Sequence, residues 1–160
     1  MRKKWYIIGA ILLIVIAGLF WWDNRLTYEI DQKVSDIEEN SPLNVDFAIS
    51  ADKRGGKLQI INNGEGYIVF DLSSKPIHFE VKEDDGWHRI ISHRIWQEAP
   101  AAVSQHNEYD VNVGYSLEFK WREVLGGKLK PGEYRAIFYY GDGEVKEYEF
   151  FKQICMFEIK

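Results

Sequence analysis

Cysteine is nearly absent from this chain of 160 residues, because Cys155 is the only one. An intradomain disulfide is therefore excluded, and the packing of a hydrophobic core has to stabilise the fold. Cys155 stands beside Ile154, Met156 and Phe157. These neighbours favour a small buried hydrophobic side chain over a redox-active or intermolecularly paired thiol.

Proline is also scarce, with four residues, and no low-complexity tract or internal repeat interrupts the chain. Hydrophobic residues make up 46% and aromatic residues 15% of the sequence, which excludes a disordered protein. Once a membrane segment and a connector are set aside, roughly 120 residues remain. That length predicts one compact domain.

Basic residues are too few for a nucleic-acid-binding protein. The chain has 20 Lys and Arg against 25 Asp and Glu, and three of the basic residues lie in the first four positions. The remainder is therefore more acidic than the chain as a whole, and it contains no basic stripe. An acidic domain repels nucleic-acid phosphates and anionic lipid headgroups, so we expect no nucleic-acid partner.

Charge is absent from residues 5–22, which read WYIIGAILLIVIAGLFWW. As a helix, this run would be about 27 Å long and would match the hydrocarbon core of a bilayer. Aromatic residues stand at both of its ends, as is typical of membrane interfaces. The sequence therefore predicts a transmembrane helix at residues 5–22 that contacts membrane lipid.

The basic residues Arg2, Lys3 and Lys4 precede this helix. By the positive-inside rule, residues 1–4 form a cytoplasmic tail and the rest of the chain lies outside the cell membrane. The alternative is a cleaved signal peptide, but bulky side chains occupy the place of a small-residue cleavage site. No cysteine follows the helix to carry a lipid. We expect an uncleaved single-pass anchor.

Residues 23–42 are predicted to form a connector that includes a short helix. Leu26, Ile30, Val34 and Ile37 recur at the spacing of one apolar helical face. Such a helix could act as a stalk, lie on the domain, or pair with a second copy. About three turns are marginal for association on their own, which favours the stalk.

From residue 43 onward the hydrophobic period changes to two, which indicates half-buried β-strands in an extracellular domain at residues 43–160. Turn signals with glycine or asparagine separate the strands. Frequent turns without helical periodicity predict an all-β, antiparallel sandwich. The alternating apolar positions are Leu43, Val45, Phe47, Ile49, Leu58, Ile60, Ile77, Phe79, Val81, Val113, Tyr115, Leu117, Phe119, Trp121, Tyr134, Ala136, Phe138 and Tyr140.

The segment Leu129-Lys130-Pro131-Gly132-Glu133-Tyr134 resembles the tyrosine corner of immunoglobulin-like sandwiches. Together with Asn62-Asn63, the strand IHFEV and the run FKWREVLGGKLKPGEYRAIF, it resembles a bacterial immunoglobulin-like domain of Gram-positive surface proteins. The resemblance covers most of residues 43–160. It implies a fold and a location outside the cytoplasm, but no catalytic residues. Residues 93–109 depart from it as a long, irregular connection.

Residues that could carry chemistry are not arranged for it in the sequence. His88 and His93 are separated by an odd spacing that places them on opposite faces of a strand, so we expect no metal. The acidic turns near Asp84 and Asp142 lack the ligand spacing of a calcium loop. Ser104 near His106 lacks a nucleophile elbow. We expect neither an enzyme nor a cofactor.

The abundance of aromatic residues leaves an interaction surface as the remaining candidate. Trp96 is a candidate binding residue, because the aromatic residues are numerous enough that some should face solvent. Tyr139 and Ile137 are candidates because their strand has apolar groups on both faces. Ordinary burial of these residues is the alternative. The function expected is a noncatalytic interaction or structural module that binds an envelope protein or itself. A module that binds or senses cell-wall glycan is the second hypothesis.

Overall fold

The computed structural model describes residues 2–25, 28–70, 77–92, 102–104, 114–143 and 150–160. Two helices, α1 (Arg2–Arg25) and α2 (Trp121–Leu125), accompany ten strands. The strands are β1 (Ile30–Lys33), β2 (Val45–Ala51), β3 (Gly55–Asn62), β4 (Tyr67–Val69), β5 (Ile77–Glu83), β6 (Gly86–Ile90), β7 (Ala102–Ser104), β8 (Tyr115–Lys120), β9 (Gly132–Asp142) and β10 (Phe151–Ile159).

Among the described residues, all strand pairs are antiparallel, and the strands form two sheets. The small sheet has the order β2-β3-β8. The large sheet has the order β1-β6-β5-β9-β4-β7, and β10 pairs with β9 outside this path. The predicted all-β architecture of antiparallel sheets is therefore confirmed.

Helix α1 contains the uncharged run at residues 5–22. Its exposed apolar side chains are Tyr6, Ile8, Ile11, Leu12, Leu13, Ile14, Val15, Ile16, Leu19 and Trp21. Within the described part of the chain, no helix combines the length and hydropathy needed to cross a membrane. The transmembrane segment therefore stays a prediction from the sequence.

The core forms where the alternating faces of the two sheets meet. Trp121 is fully buried at its centre, with its ring parallel to that of Phe157 at 5.7 Å and edge-on to Phe79 at 5.3 Å. Phe47 stacks on Phe138 at 4.2 Å and joins the small sheet to the large one. Aromatic side chains bury large apolar areas, so these contacts take the place of the missing disulfide.

The predicted helical connector is wrong for residues 30–40. Ile30–Lys33 is a strand paired with β6, and residues 34–40 have no helix. The backbone of this segment bonds to the chain at β6 and not to itself, as it would in a helix. The amide of Val34 donates to the carbonyl of Trp87, and the amide of Ile91 donates to the carbonyl of Glu29. Pairing with a neighbouring sheet edge outweighed a weak helical pattern.

Of two turns in which glycine predicts a positive φ, one differs from that expectation and one agrees with it. Gly55 and Gly56 begin β3 and have no positive φ. A Cβ at Gly55 would collide with the carbonyl oxygen of Phe119, so glycine is needed there for the close approach of β3 to β8. Gly86, by contrast, has a φ of 134° and closes the hairpin of β5 and β6 as predicted.

Candidate interaction face

The candidate site is the face of the large sheet that points away from the small sheet, here called the outer face. On β9, Tyr134, Ala136 and Phe138 enter the core. The residues between them, including Arg135 and Ile137, must therefore point to the outer face, because side chains alternate along a strand. The register places Glu80 opposite Arg135, and His78 opposite Ile137.

A buried ion pair occupies the centre of this outer face. Nε of Arg135 donates a hydrogen bond of 2.6 Å to Oε2 of Glu80, and the side chains are 5% and 0% exposed. The guanidinium carbon of Arg135 lies 4.4 Å from the centroid of the Trp87 ring, in a cation–π contact. Charges that leave water need such partners. The pair thus fixes three neighbouring strands relative to one another.

Residues 34–41 cover this pair, and we call them the strap. The strap starts at the edge of β6, where the amide of Val34 donates a hydrogen bond to the carbonyl of Trp87. At the next residue, the carbonyl of Ser35 accepts a hydrogen bond of 3.5 Å from Nη2 of Arg135. Val34 and Ile37 are half-buried. Since β6, β5, β9 and β10 follow one another in the sheet, the strap crosses it from one side to the other.

The far end of the strap is held by the edge of β10. The side-chain oxygens of Glu39 and Asn40 each accept a hydrogen bond of 2.7 Å, from the amides of Ile154 and Lys152 respectively. The amide of Asn40 donates to the carbonyl of Lys152 at 3.2 Å. Amides that a lone edge strand would leave exposed are thereby satisfied.

The structure places two of the three predicted binding residues. Ile137 is fully buried although it does not belong to the core between the sheets. Its assignment to an exposed binding surface is therefore wrong, because its side chain has no surface open to solvent. Tyr139 is half-buried, with its ring 5.1 Å from that of His78. Trp96 lies outside the described residues.

Burial raises the pKa of the Tyr139 hydroxyl above its usual value of 10.0, although the positive charge of Arg89 lowers it somewhat. The phenol is therefore neutral at physiological pH. A neutral, half-buried tyrosine offers a hydrogen bond and an apolar ring edge, which suits recognition better than acid–base chemistry.

The histidine and acidic residues at the β5–β6 turn make structural contacts. Nε2 of His88 lies 2.8 Å from Oδ1 of Asp85, and Nζ of Lys33 lies 3.4 Å from Oδ2 of the same carboxylate. The hydrogen bond with His88 has the largest effect on the pKa of Asp85, and together with Lys33 it holds that pKa below its usual range. No cluster of three possible metal ligands occurs among the described residues. His93 and His106 lie outside them.

A second feature is an open groove of about 880 Å³ at one end of the small sheet. Part of its wall is the β2–β3 turn, where Nε1 of Trp121 donates a hydrogen bond to the carbonyl of Asp52 at 2.8 Å. Basic residues along it outnumber acidic ones, although Lys120 lies 3.9 Å from Glu123. The basic lining residues are Arg54, Lys57, Lys120, Arg122 and Lys128.

Cys155 is buried and free. Burial raises the pKa of its thiol above 9.0, although a hydrogen bond with the backbone of Ile49 lowers it somewhat. A protonated, buried thiol is a poor nucleophile. The predicted role as a small hydrophobic core residue is confirmed.

Sequence patterns missed two groups that the structure brings together. Tyr28 lies in the predicted connector, yet it is buried and its hydroxyl lies 3.0 Å from that of Tyr134. One signal in the sequence could have indicated the Glu80–Arg135 pair. Each of the two residues is a charged side chain flanked by apolar ones in a strand expected to be buried, and a buried charge needs a partner. Only the register shows that the two charges face each other.

Comparison with protein-family models, with curated proteins and with solved structures finds no match for this chain.

Proposed function

We propose that this protein is a membrane-anchored, noncatalytic interaction or structural module at the bacterial cell surface. In this proposal the chain is held by residues 5–22, and its β domain is presented outside the membrane to an envelope protein or to a second copy. One observation carries the proposal: the residues that follow the anchor are part of the folded domain.

That observation rests on three contacts between the juxtamembrane chain and the domain. Tyr28 is 7% exposed and joins the core, β1 extends the large sheet, and the strap crosses the outer face. A flexible stalk would leave the domain free to rotate about its attachment. An integrated segment gives it a defined orientation to whatever holds residues 2–25, and this suits a module that must present one face to a partner.

Support for the anchor comes from the sequence. Residues 5–22 contain no charged side chain, three basic residues precede them, and tryptophan stands at both ends. The orientation with residues 1–4 in the cytoplasm follows from the same basic residues. We infer a single-pass topology with the β domain outside the cell.

Support for an immunoglobulin-like fold comes from strand order. The small sheet β2-β3-β8 corresponds to strands A, B and E of an immunoglobulin sandwich, and β6-β5-β9-β10 corresponds to C′, C, F and G. The hydroxyl of Tyr134, near the start of β9, donates to the carbonyl of Lys130 at 2.8 Å. A tyrosine corner places its hydrogen bond at the same point.

Support for a noncatalytic role comes from what the charged groups of the outer face do. Glu80 and Arg135 neutralise each other, and Lys82 pairs with Glu133 at 2.7 Å. A general acid or base needs access to substrate and a pKa near the working pH. Groups already paired within the sheet stabilise the fold instead.

The proposal is tested by photo-crosslinking the full chain in native membranes. A photoreactive amino acid replaces Met156, which is 55% exposed beside the strap, and the matched control places it at Gln59, an exposed position on the small sheet. We expect one envelope protein, or the chain itself, to be crosslinked from position 156 and not from position 59.

Other outcomes of this experiment count against the proposal. Equal labelling of many proteins from both positions would remove the specific face, and a substrate turned over by the purified chain would replace the module with an enzyme. Recovery of wall polysaccharide alone would favour the glycan hypothesis. That hypothesis is the weaker one, because most large aromatic side chains among the described residues of the domain belong to the core or pack against it. In the described part of the domain, the exposed ones are Tyr67 and Phe150.

A further inference from the structure

We propose that a small cleft between β5 and β6 binds a small molecule through a carboxylate or similar oxyanion, which the guanidinium of Arg89 holds. This inference goes beyond the proposed function, because it concerns a small ligand and not a protein partner. Its basis is the shape of the cleft, the unmet hydrogen-bonding capacity of Arg89, and the position of Asp31.

The cleft exists because β5 and β6 separate at one end. Their pairing runs from Glu83 opposite Gly86 to Glu80 opposite Arg89 and stops there. Beyond that point Ile90 pairs with Ile30 of β1, while Ile77 pairs with β9. The two strands therefore diverge, and their backbone groups no longer satisfy each other across the gap.

The gap has a volume of about 190 Å³. Pockets for drug-sized ligands are larger, at roughly 300 to 1,000 Å³, so the cleft suits a molecule of a few heavy atoms. Its polar lining is formed by His78, Arg89, Ser92 and Asp31, and its apolar lining by Ile77, Phe79, Ile90 and Ile91. A mixed lining of this kind can orient a small polar molecule.

Arg89 has a buried hydrogen-bond donor that lacks an acceptor. It is half-buried, its Nε is sealed from solvent, and that Nε has no hydrogen-bond acceptor. The residue directly opposite, Glu80, bonds to Arg135 instead. The other oxygen of Glu80, Oε1, is buried without a hydrogen-bond partner and does not bond to Nε of Arg89. A buried charged donor without an acceptor is costly. A bound oxyanion would supply the missing acceptor in the forked geometry that arginine prefers.

Asp31 defines the other end of the ligand. It lies on β1, lines the same cleft and forms no ion pair with Arg89 within 4.0 Å. Its negative charge disfavours a dianion and favours a ligand whose far end is neutral or cationic. The chemistry of the cleft therefore fits a small amino carboxylate better than inorganic phosphate. Because Asp31 belongs to the juxtamembrane strand, such a ligand would contact both that strand and the sheet.

The test observes Arg89 directly in the full chain in detergent micelles. Arginine Nε–Hε groups give resolved signals in ¹H–¹⁵N NMR spectra, and the signal of residue 89 is identified by its loss in Arg89→Lys. Glycine, acetate and phosphate are titrated separately. We expect a saturable shift of the Arg89 signal with glycine, a weaker one with acetate, and the weakest with phosphate.

Variants then separate the contributions. Arg89→Gln should weaken glycine binding roughly tenfold or more, as expected for the loss of charge-assisted hydrogen bonds, whereas Arg54→Gln, in the groove of the small sheet, should leave it unchanged. Asp31→Asn should weaken glycine but strengthen acetate. Thermal unfolding of each variant reports whether the fold is retained.

Three results would overturn the inference. They are a linear, nonsaturating shift with all three probes, equal binding by the wild type and a folded Arg89→Gln, and equal shifts of the Arg54 and Arg89 signals. Any of these would mean that the cleft does not bind an oxyanion specifically through Arg89. None of them depends on the crosslinking result, so the two proposals stand or fall separately.

Discussion

Arg135 donates a hydrogen bond of 2.6 Å from its Nε to Oε2 of Glu80, and both side chains are almost completely buried on a sheet face that would otherwise meet water. The strap makes this possible, because residues 34–41 cover the ion pair on the outer face.

Removing one partner of this pair should destabilise the domain strongly. Glu80→Gln leaves the buried Arg135 guanidinium without its counterion, and a loss of about 3 to 5 kcal/mol in the free energy of unfolding is expected. Urea denaturation of the full chain, followed by tryptophan fluorescence, measures it. The control Glu133→Gln, in the exposed pair with Lys82, should cost less than about 1 kcal/mol. Similar losses for both variants would contradict a buried role.

The hydroxyl pair of Tyr28 and Tyr134 should stabilise the packing of Tyr28 against the domain. Tyr28→Phe removes one hydrogen bond and leaves the ring in place, so a cost of about 0.5 to 1.5 kcal/mol is expected. The exposed Tyr67 provides the control Tyr67→Phe, which should have no measurable effect. If Tyr28→Phe left the free energy of unfolding unchanged, water would satisfy these hydroxyls equally well.

The exchange rates of individual amide hydrogens should report each hydrogen bond between the strap and β10 separately. Glu39→Ala removes the acceptor of the Ile154 amide and should speed its exchange roughly twofold to tenfold while leaving Lys152 unchanged. Asn40→Ala should produce the reverse pattern. Equal acceleration at both amides in both variants would mean that the strap detaches as a unit.

Stability should fall at alkaline pH. Burial raises the pKa of Tyr28, Tyr134 and Tyr140 above 10.0 in the folded chain. The unfolded chain loses these protons near pH 10 while the folded chain keeps them. Between pH 10 and its own raised pKa in the folded chain, each tyrosine therefore lowers the free energy of unfolding by up to about 1.4 kcal/mol per pH unit.

Two variants should show how much of the loss of stability at alkaline pH comes from a tyrosine and how much from the cysteine. Tyr28→Phe should reduce the slope above pH 10 by about one proton. Cys155→Ala should remove the part that begins near pH 9, because the thiol has a lower ordinary pKa of 9.0 that burial raises. Urea denaturation between pH 8 and pH 11 gives both slopes. A flat profile would mean that these hydroxyls ionise in the folded chain.

The all-β class and most strand positions could be predicted because period-two alternation is a local property. Val45, Phe47 and Ile49 alternate with polar residues within a single strand, and no distant partner is needed to read their faces. The same holds for the β5–β6 hairpin, where Gly86 has the positive φ that its turn requires.

The candidate site could be predicted only in part. Apolar groups on both faces of β9 predicted either a central strand or an exposed patch around Ile137 and Tyr139, and the strand is central. The pattern could not tell whether solvent or another segment meets the second face. The weak helical stripe that includes Ile30, Val34 and Ile37 gave no warning that those residues follow the sheet as a strand and a strap.

The sequence by itself determined the strand faces, the turns, the absence of disulfides and the uncharged run at residues 5–22, because each depends on residues close together in the chain. Only the tertiary structure decided that Glu80 meets Arg135, that Tyr28 meets Tyr134, and that Arg89 is left facing a cleft. These relationships join residues far apart in sequence, and the register of paired strands, which no local pattern encodes, brings them together.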